Sequence, residues 1–243
     1  MYDTYLTSIK KIISSGDLST FKSNDDYRGV LEHVSQQQGH EYLQCIKNEN
    51  IISLEEIKKF CEKNDSIGSP LRYFYIDIDF YVSPTSLRYI YHACLLLKHV
   101  NNLKLQNVDF VEIGCGYGGL YLAIDFLKHK YNVTINSYKM IDLTEAVNLQ
   151  QLYLSKFNMF SVEFVDAFTF GKDITSKNMF LISNYCFSEI DHNFQQKYIE
   201  LLFPKVSHGF MTWNHIQTYN FGFEFTEIDE VPKTGLMNKY IYF

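Results

Sequence analysis

Glu112, Gly114, Gly116, Gly118 and Gly119 stand together in the stretch VDFVEIGCGYGGLYLAI, Val108 to Ile124. Their types and spacing fit two chemistries. Gly114, Gly116 and Gly119 spell G-x-G-x-x-G, the turn that lays a dinucleotide's pyrophosphate on a helix N-terminus. Glu112 with Gly114, Gly116 and Gly118 spells acidic-x-G-x-G-x-G, the loop of an S-adenosyl-L-methionine site. Glycines serve both, because a backbone without Cβ atoms lets a ligand come close and reaches positive φ without strain. The acid separates the two. S-adenosylmethionine has no phosphate, carries a sulfonium cation and ends in a zwitterionic amino acid, so a carboxylate at position 112 suits it and is poorly placed for a pyrophosphate.

Two further acids follow at strand ends. Asp142, followed by Leu143 in SYKMIDLTEA, closes the second expected strand, where a carboxylate accepts from both hydroxyls of a ribose. Either fingerprint asks for such an acid. Asp166, followed by Ala167 in VEFVDAFTF, closes the third, where an acid accepts from the exocyclic amine of adenine; the alternative for Asp166 is to cap a turn. Together the three acids tilt the balance toward S-adenosylmethionine.

These residues need a scaffold that brings strand ends together. From Val108 onward strand and helix patterns alternate, the mark of a parallel sheet covered on both faces. Strands are expected at Asp109–Ile113, Ser137–Ile141, Val162–Val165, Phe180–Ser183 and Gly209–Thr212, with helices at Leu120–Lys130, Glu145–Phe157 and Phe194–Phe203. The tail FGFEFTEIDEVPKTGLMNKYIYF reads as an antiparallel pair joined by a turn containing Pro232 and Gly235. Ahead of the glycines, Ser83 and Pro84 open a helix in which Leu87, Tyr91, Cys94, Leu95 and Lys98 recur at helical spacing. The preceding region is helical in period. SLEE at Ser53–Glu56 is a capping box for a helix over Leu54–Lys63. YFYIDIDFYV, Tyr73–Val82, reads as extended, with Asp77 and Asp79 on one side. The expected architecture is an α/β, Rossmann-like sheet at 83–243 with a C-terminal antiparallel hairpin strand, preceded at 1–82 by a mostly helical cap.

Composition bounds the function. A net charge of −6 argues against nucleic acid as partner, since phosphate binding needs a basic stripe. Cys45, Cys61, Cys94, Cys115 and Cys186 include no C-x-x-C pair and fit neither a disulfide framework nor a zinc site. No apolar run reaches membrane-spanning length, so a soluble cytoplasmic chain without a membrane partner is expected.

Several stretches together resemble the sugar O-methyltransferases of the sialic-acid-methylase-like group, which are class I methyltransferases. They are SPTSLRYIYHA before the first strand, VEIGCGYGG at the loop, YKMIDLTEAVNLQQLYLSKF after it, LISNYCFSEI at the fourth strand and GFMTWN at the fifth, spanning about Ser83 to Asn214. Cys115 stands where family members tend to carry a small residue or glycine, and Cys186 where alanine is commoner. The first eighty or so residues lie outside the resemblance, and substrate specificity would be set there.

The resemblance implies methyl transfer from S-adenosylmethionine to the hydroxyl of a sugar or glycan acceptor. Such a hydroxyl is a weak nucleophile, so a general base is expected at the carboxyl ends of the strands. Candidates after the fourth strand are Asn184, Tyr185, Ser188, Glu189, Asp191 and His192, and after the fifth Asn214 and His215. Glu189 leads as base, followed by His192 and His215. Asn184 and Tyr185 join the expected cofactor contacts. Asp191 has a plainer use as a helix cap, and His192 as a solvated first-turn residue. Arg88 could pair with the methionine carboxylate, in the bidentate manner arginine favours. Tyr117, inside the loop, could turn its ring to the sulfonium. No required metal is expected. Three other readings stay open: a methyltransferase of non-sugar small molecules, a nicotinamide-dependent oxidoreductase, and a methyltransferase fold kept as a binding module.

Overall fold

The computed structural model describes residues 2–159, 161–171 and 174–243. Four helices come first: α1 (Tyr2–Ser15), α2 (Asp25–Leu31), α3 (Gln36–Glu49) and α4 (Leu54–Asp65). The last two begin at serines whose hydroxyls accept from the third backbone N–H, with Gln38 and Glu56 reaching back, so both capping boxes close. The helix expected from SLEE is α4. The segment expected to be continuously extended is instead a hairpin, β1 (Tyr73–Tyr75) and β2 (Phe80–Val82), with Asp79 at φ +47 in its turn. Asp77 and Asp79 fall in that turn because short polar side chains tolerate its backbone better than a strand does. Asp77 is paired there with Lys47 at 2.7 Å.

Helix α5 (Pro84–Asn102) follows, with Ser83 as its N-cap and Pro84 in the first turn. Of its 19 residues 14 are buried, so it is covered on nearly every side. Then come β3 (Val108–Ile113), α6 (Gly119–Leu127), β4 (Ile135–Asp142), α7 (Thr144–Ser155), β5 (Val162–Asp166), β6 (Met179–Asn184), α8 (His192–Leu201), β7 (Val206–Trp213), β8 (Thr226–Asp229) and β9 (Lys239–Tyr242). All five expected parallel strands are present, each a residue or more longer than the alternation alone delimits. The helix expected to run to Lys130 stops at Leu127 and continues as a tight turn over Lys128–Tyr131.

These strands form one sheet in the order β5-β4-β3-β6-β7-β9-β8. The first five are mutually parallel, while β9 inserts antiparallel between β7 and β8. This is a Rossmann-like sheet, closed by an antiparallel pair of strands. Alternation along β3 sends Phe110 to one face and Val111 and Ile113 to the other. On the first face Phe110, Tyr138 and Phe180 pack in one continuous core with α5, α6, α7 and the N-terminal helices. On the second, Val111, Ile141 and Leu181 are covered by Tyr198 and Leu202 and by the aromatic segment around Phe221, which stacks on Trp213 at 5.7 Å. Because the parallel strands end at the same edge, their following loops meet there.

Candidate active site

At that edge lies a cavity of about 850 Å³, in the upper part of the range that holds cofactor-sized ligands. Its floor is the turn from β3 into α6. Gly114, Gly116 and Gly118 hold φ of +72, +57 and +91, a region that side chains with a Cβ enter at a cost. Gly114 also leaves room for a neighbour, since a Cβ there would lie 2.2 Å from Cys186 Sγ. The loop's shape is therefore required both by its backbone and by its contact with the segment after β6. Gly114, Cys115 and Gly116 line the cavity, whereas Gly118 sits behind them as the N-cap of α6.

Glu112 and Asp142 flank this floor. Glu112 is buried and accepts from the Tyr138 hydroxyl at 2.7 Å. Burial raises its carboxyl to about 8, which favours the protonated form at neutral pH. Asp142 accepts from Cys115 N and Leu143 N at 2.8 Å each and from Gln150 Nε2 at 2.9 Å. Burial raises it to about 6 against the pull of those donors. One carboxylate thus pins the glycine loop to the start of α7 and lines the cavity, with Leu143 and Ala167 beside it.

Asp166 is placed differently. Its Oδ1 accepts from Phe168 N at 2.8 Å and its Oδ2 from the Thr144 hydroxyl, and it does not line the cavity. Each oxygen accepts one bond, from the turn after β5 and from the start of α7, so the turn cap weighed for Asp166 is present. Tyr117 is a second departure. Its ring is fully buried on the far side of the loop, 4.3 Å beneath Lys22 Nζ, with its hydroxyl accepting from Asn64 Nδ2 at 3.1 Å. The cation on its face is the chain's own lysine. His192 is a third: it is the exposed first residue of α8, outside the cavity, and Asp191 caps that helix by accepting from Asn193 N at 2.9 Å.

The other strand ends supply the opposite wall. Asn184 Oδ1 accepts from the Thr212 hydroxyl at 2.8 Å, while its Nδ2 is buried with no partner among the described residues. Tyr185 follows with φ +59, and its hydroxyl donates to the buried carboxylate of Glu230. After β7, Asn214 Nδ2 donates to Glu189 Oε1, and His215 Nε2 lies 3.3 Å from the same oxygen. His215 has φ +62. Left-handed backbone at a tyrosine and at a histidine costs on the order of 1 kcal/mol each and recurs at functional sites. Glu189 and His215 form a carboxylate–imidazole pair at the mouth, with side chains 26% and 70% exposed.

Arg88, on α5, is 6% exposed and reaches the cavity with its guanidinium 5.4 Å from the Tyr185 ring centre. It donates to Leu31 O at 3.0 Å. No carboxylate comes within ion-pair distance of it among the described residues. A buried cation on a cavity wall without an anionic partner is costly unless an anion arrives.

The roof comes from parts of the sequence that carry no motif. Tyr5, Leu31 and Gln38 from the N-terminal helices, His33 between α2 and α3, His92 on α5, and Thr234–Asn238 before β9 all face the cavity. Only the i, i+4 step from Arg88 to His92 signalled any of them in the sequence. Among the described residues no group of three or more His, Cys, Asp or Glu side chains is gathered for a metal ion, and no helix is long and apolar enough to cross a membrane.

No family model and no curated protein matches the sequence. Solved structures do. PKMT2 from Rickettsia typhi, in complex with AdoHcy, matches 44% of this chain at 18% identity and a TM-score of 0.35, and this chain spans only 21% of that one. A SAM-dependent methyltransferase from Aquifex aeolicus matches 60% of this chain and 89% of its own at 15% identity and a TM-score of 0.43. Precorrin-6y C5,15-methyltransferase from Geobacter metallireducens matches 59% of this chain and 84% of its own at 13% identity and a TM-score of 0.41. At TM-scores this low the likenesses decide neither ligand nor reaction, and the site's own geometry carries the functional reading.

Proposed function

We propose that the chain is an S-adenosylmethionine-dependent methyltransferase acting on a hydroxyl of a sugar or glycan. The observation that carries this reading is the convergence of Glu112, the glycine loop, Asp142 and Arg88 on one cavity. In this reading Asp142 takes the ribose hydroxyls, Glu112 and Arg88 take the amino and carboxylate ends of the methionine, and the glycines let the chain of the ligand pass. Asn184 and Tyr185 border the same ligand. A pyrophosphate gains nothing from Glu112, an acid buried beside the glycine loop.

In the transfer step the acceptor oxygen attacks the methyl carbon in line, the carbon–sulfur bond breaks, and the electron pair stays on sulfur. Positioning in a closed cavity supplies much of the rate. The hydroxyl proton goes to the pair at the mouth. Glu189 orients the imidazole by accepting from His215 Nε2, which leaves Nδ1 to take the proton, or Glu189 takes it directly. The N-terminal helices, which roof the cavity, would select the acceptor. The test is transfer of labelled methyl from S-adenosylmethionine to deoxyhexoses, hexosamines and sialic acids, as nucleotide sugars and as glycosides. Label in one sugar class supports the reading. Binding of S-adenosylhomocysteine with no label in any sugar would move the acceptor to another small molecule.

A further inference from the structure

The strand order divides the cavity into two halves. The ends of β3, β4 and β5 carry the glycine loop, Asp142 and Ala167, which is the half given above to the cofactor, with Arg88, Asn184 and Tyr185 at the boundary between the two. His92 belongs to the other. Its ring centre lies 5.8 Å from Tyr185 after β6, 6.5 Å from Phe210 on β7 and 5.8 Å from Tyr240 on β9. It lines the cavity at 1% exposure, and its Nε2 has no hydrogen-bond partner among the described residues. The Tyr42 ring lies 6.1 Å from that of His92. Native chains rarely leave a buried polar group unpaired, and each exception asks for a missing partner.

The surroundings restrict what that partner is. Tyr42 from α3, Tyr185 after β6, Phe210 from β7 and Tyr240 from β9 frame the imidazole with aromatic rings. The charge that acts on it is the Arg88 guanidinium, one helical turn earlier on α5, and burial together with that cation holds the ring neutral. A neutral imidazole nitrogen either donates to or accepts from a hydroxyl, according to tautomer. Aromatic walls around one neutral polar group suit a polyol, which has apolar faces and hydroxyl edges.

We propose that His92 is a specificity-determining residue that hydrogen-bonds an uncharged hydroxyl or carbonyl oxygen of the acceptor, on the β6–β7–β9 side of the cavity. This rests on the methyl-transfer reading and adds to it a residue which holds the acceptor without taking its proton.

The test uses full-length protein carrying nitrogen-15 histidine, saturated with S-adenosylhomocysteine and titrated with methyl glycosides of glucose, fucose and N-acetylglucosamine. The His92 signal is assigned with His92→Phe. The expected result is a His92 Nε2 resonance that shifts further when glycoside is added to the S-adenosylhomocysteine complex. His92→Phe keeps a ring against its neighbours but loses the nitrogen, and should weaken glycoside binding about tenfold while leaving S-adenosylhomocysteine affinity within about twofold. A His92 resonance that no glycoside moves in that complex, or equal glycoside affinity in the variant, each overturns the proposal. Failure of S-adenosylhomocysteine to bind the wild type would overturn the methyl-transfer reading itself, whereas binding with a silent His92 would overturn only the role given to His92.

Discussion

Glu189 and Glu112 are both carboxylates on the cavity wall, yet their surroundings give them different work. Glu189 sits at the mouth, held by Asn214 and paired with His215, where a proton can leave toward solvent. Glu189→Gln keeps the oxygen that accepts from Asn214 and removes the charge. Once an acceptor is known, the variant should lower kcat about 100- to 10,000-fold with cofactor affinity unchanged; an unaltered kcat would remove Glu189 from catalysis. Glu112 lies deep and stays protonated up to about pH 8. A ligand ammonium beside it favours the carboxylate, so binding must release that proton at lower pH. Affinity for S-adenosylhomocysteine should therefore rise with pH between about 6 and about 8, the values to which Asp142 and Glu112 are raised. Calorimetry across that range checks the sign, and Glu112→Gln should flatten the upper part of the rise relative to wild type.

At the scale of elements, the N-terminal helices are tied to the glycine loop through one buried hub. Lys22 Nζ donates to Asn64 O at 2.6 Å and lies over the Tyr117 and Tyr153 rings at 4.3 and 4.9 Å. Asn64 in turn donates to the Tyr117 hydroxyl at 3.1 Å and to Ser86 at 2.7 Å, and accepts from the Tyr153 hydroxyl at 2.8 Å. This single network joins the turn after α1, the end of α4, the start of α5, the glycine loop and α7. Its cost is a buried ammonium. Burial lowers Lys22 from 10.5 to about 8, against the attraction of Glu32 and Asp65. Between those pH values the unfolded chain binds the proton that the folded chain has lost, so this residue adds stability as pH rises, and the gain is complete above the unfolded value. The stability difference between wild type and Lys22→Met should shift by about 3 kcal/mol in favour of wild type from pH 8 to 10.5. Urea unfolding of both proteins at a series of pH values measures it. A difference that stays flat would mean that Lys22 titrates normally.

The same contrast between local and distant contacts explains what the sequence disclosed about each element. The capping serines, the proline opening α5 and the five parallel strands follow from residues within one turn or one pleat of each other. YFYIDIDFYV reads as one extended segment because it is aromatic and alternates through its Ile and Asp residues, and the left-handed backbone at Asp79 breaks it into the hairpin of β1 and β2. Asp166 and Tyr117 are expected at the ligand because strand ends and loop residues usually point there. Asp166 is claimed by Thr144 and Phe168, and Tyr117 by Asn64 and Lys22, partners that no spacing in the sequence announces.

For the whole molecule, the glycine floor and Asp142 were legible because one short segment and one strand end carry them. The roof was not. Leu31, His33, Gln38 and His92 line the cavity only because α2, α3 and α5 pack in one core against the first face of the sheet. Separating residues 1–82 from the remainder would expose that core, including Tyr117, Tyr153 and Ile90, all fully buried. A fragment beginning at Ser83 should accordingly be insoluble or bind the dye ANS, and a soluble, cooperatively unfolding fragment would show that the sheet does not need its N-terminal helices. The central claim is that the glycine loop and its acids hold S-adenosylmethionine, and calorimetric titration of S-adenosylhomocysteine into wild type and Asp142→Asn tests it most directly. The account predicts saturable one-to-one binding to wild type that weakens about 30-fold in the variant, roughly the loss of one charge-assisted hydrogen bond. Absence of binding to wild type, with saturable binding of a nicotinamide dinucleotide under the same conditions, would contradict it.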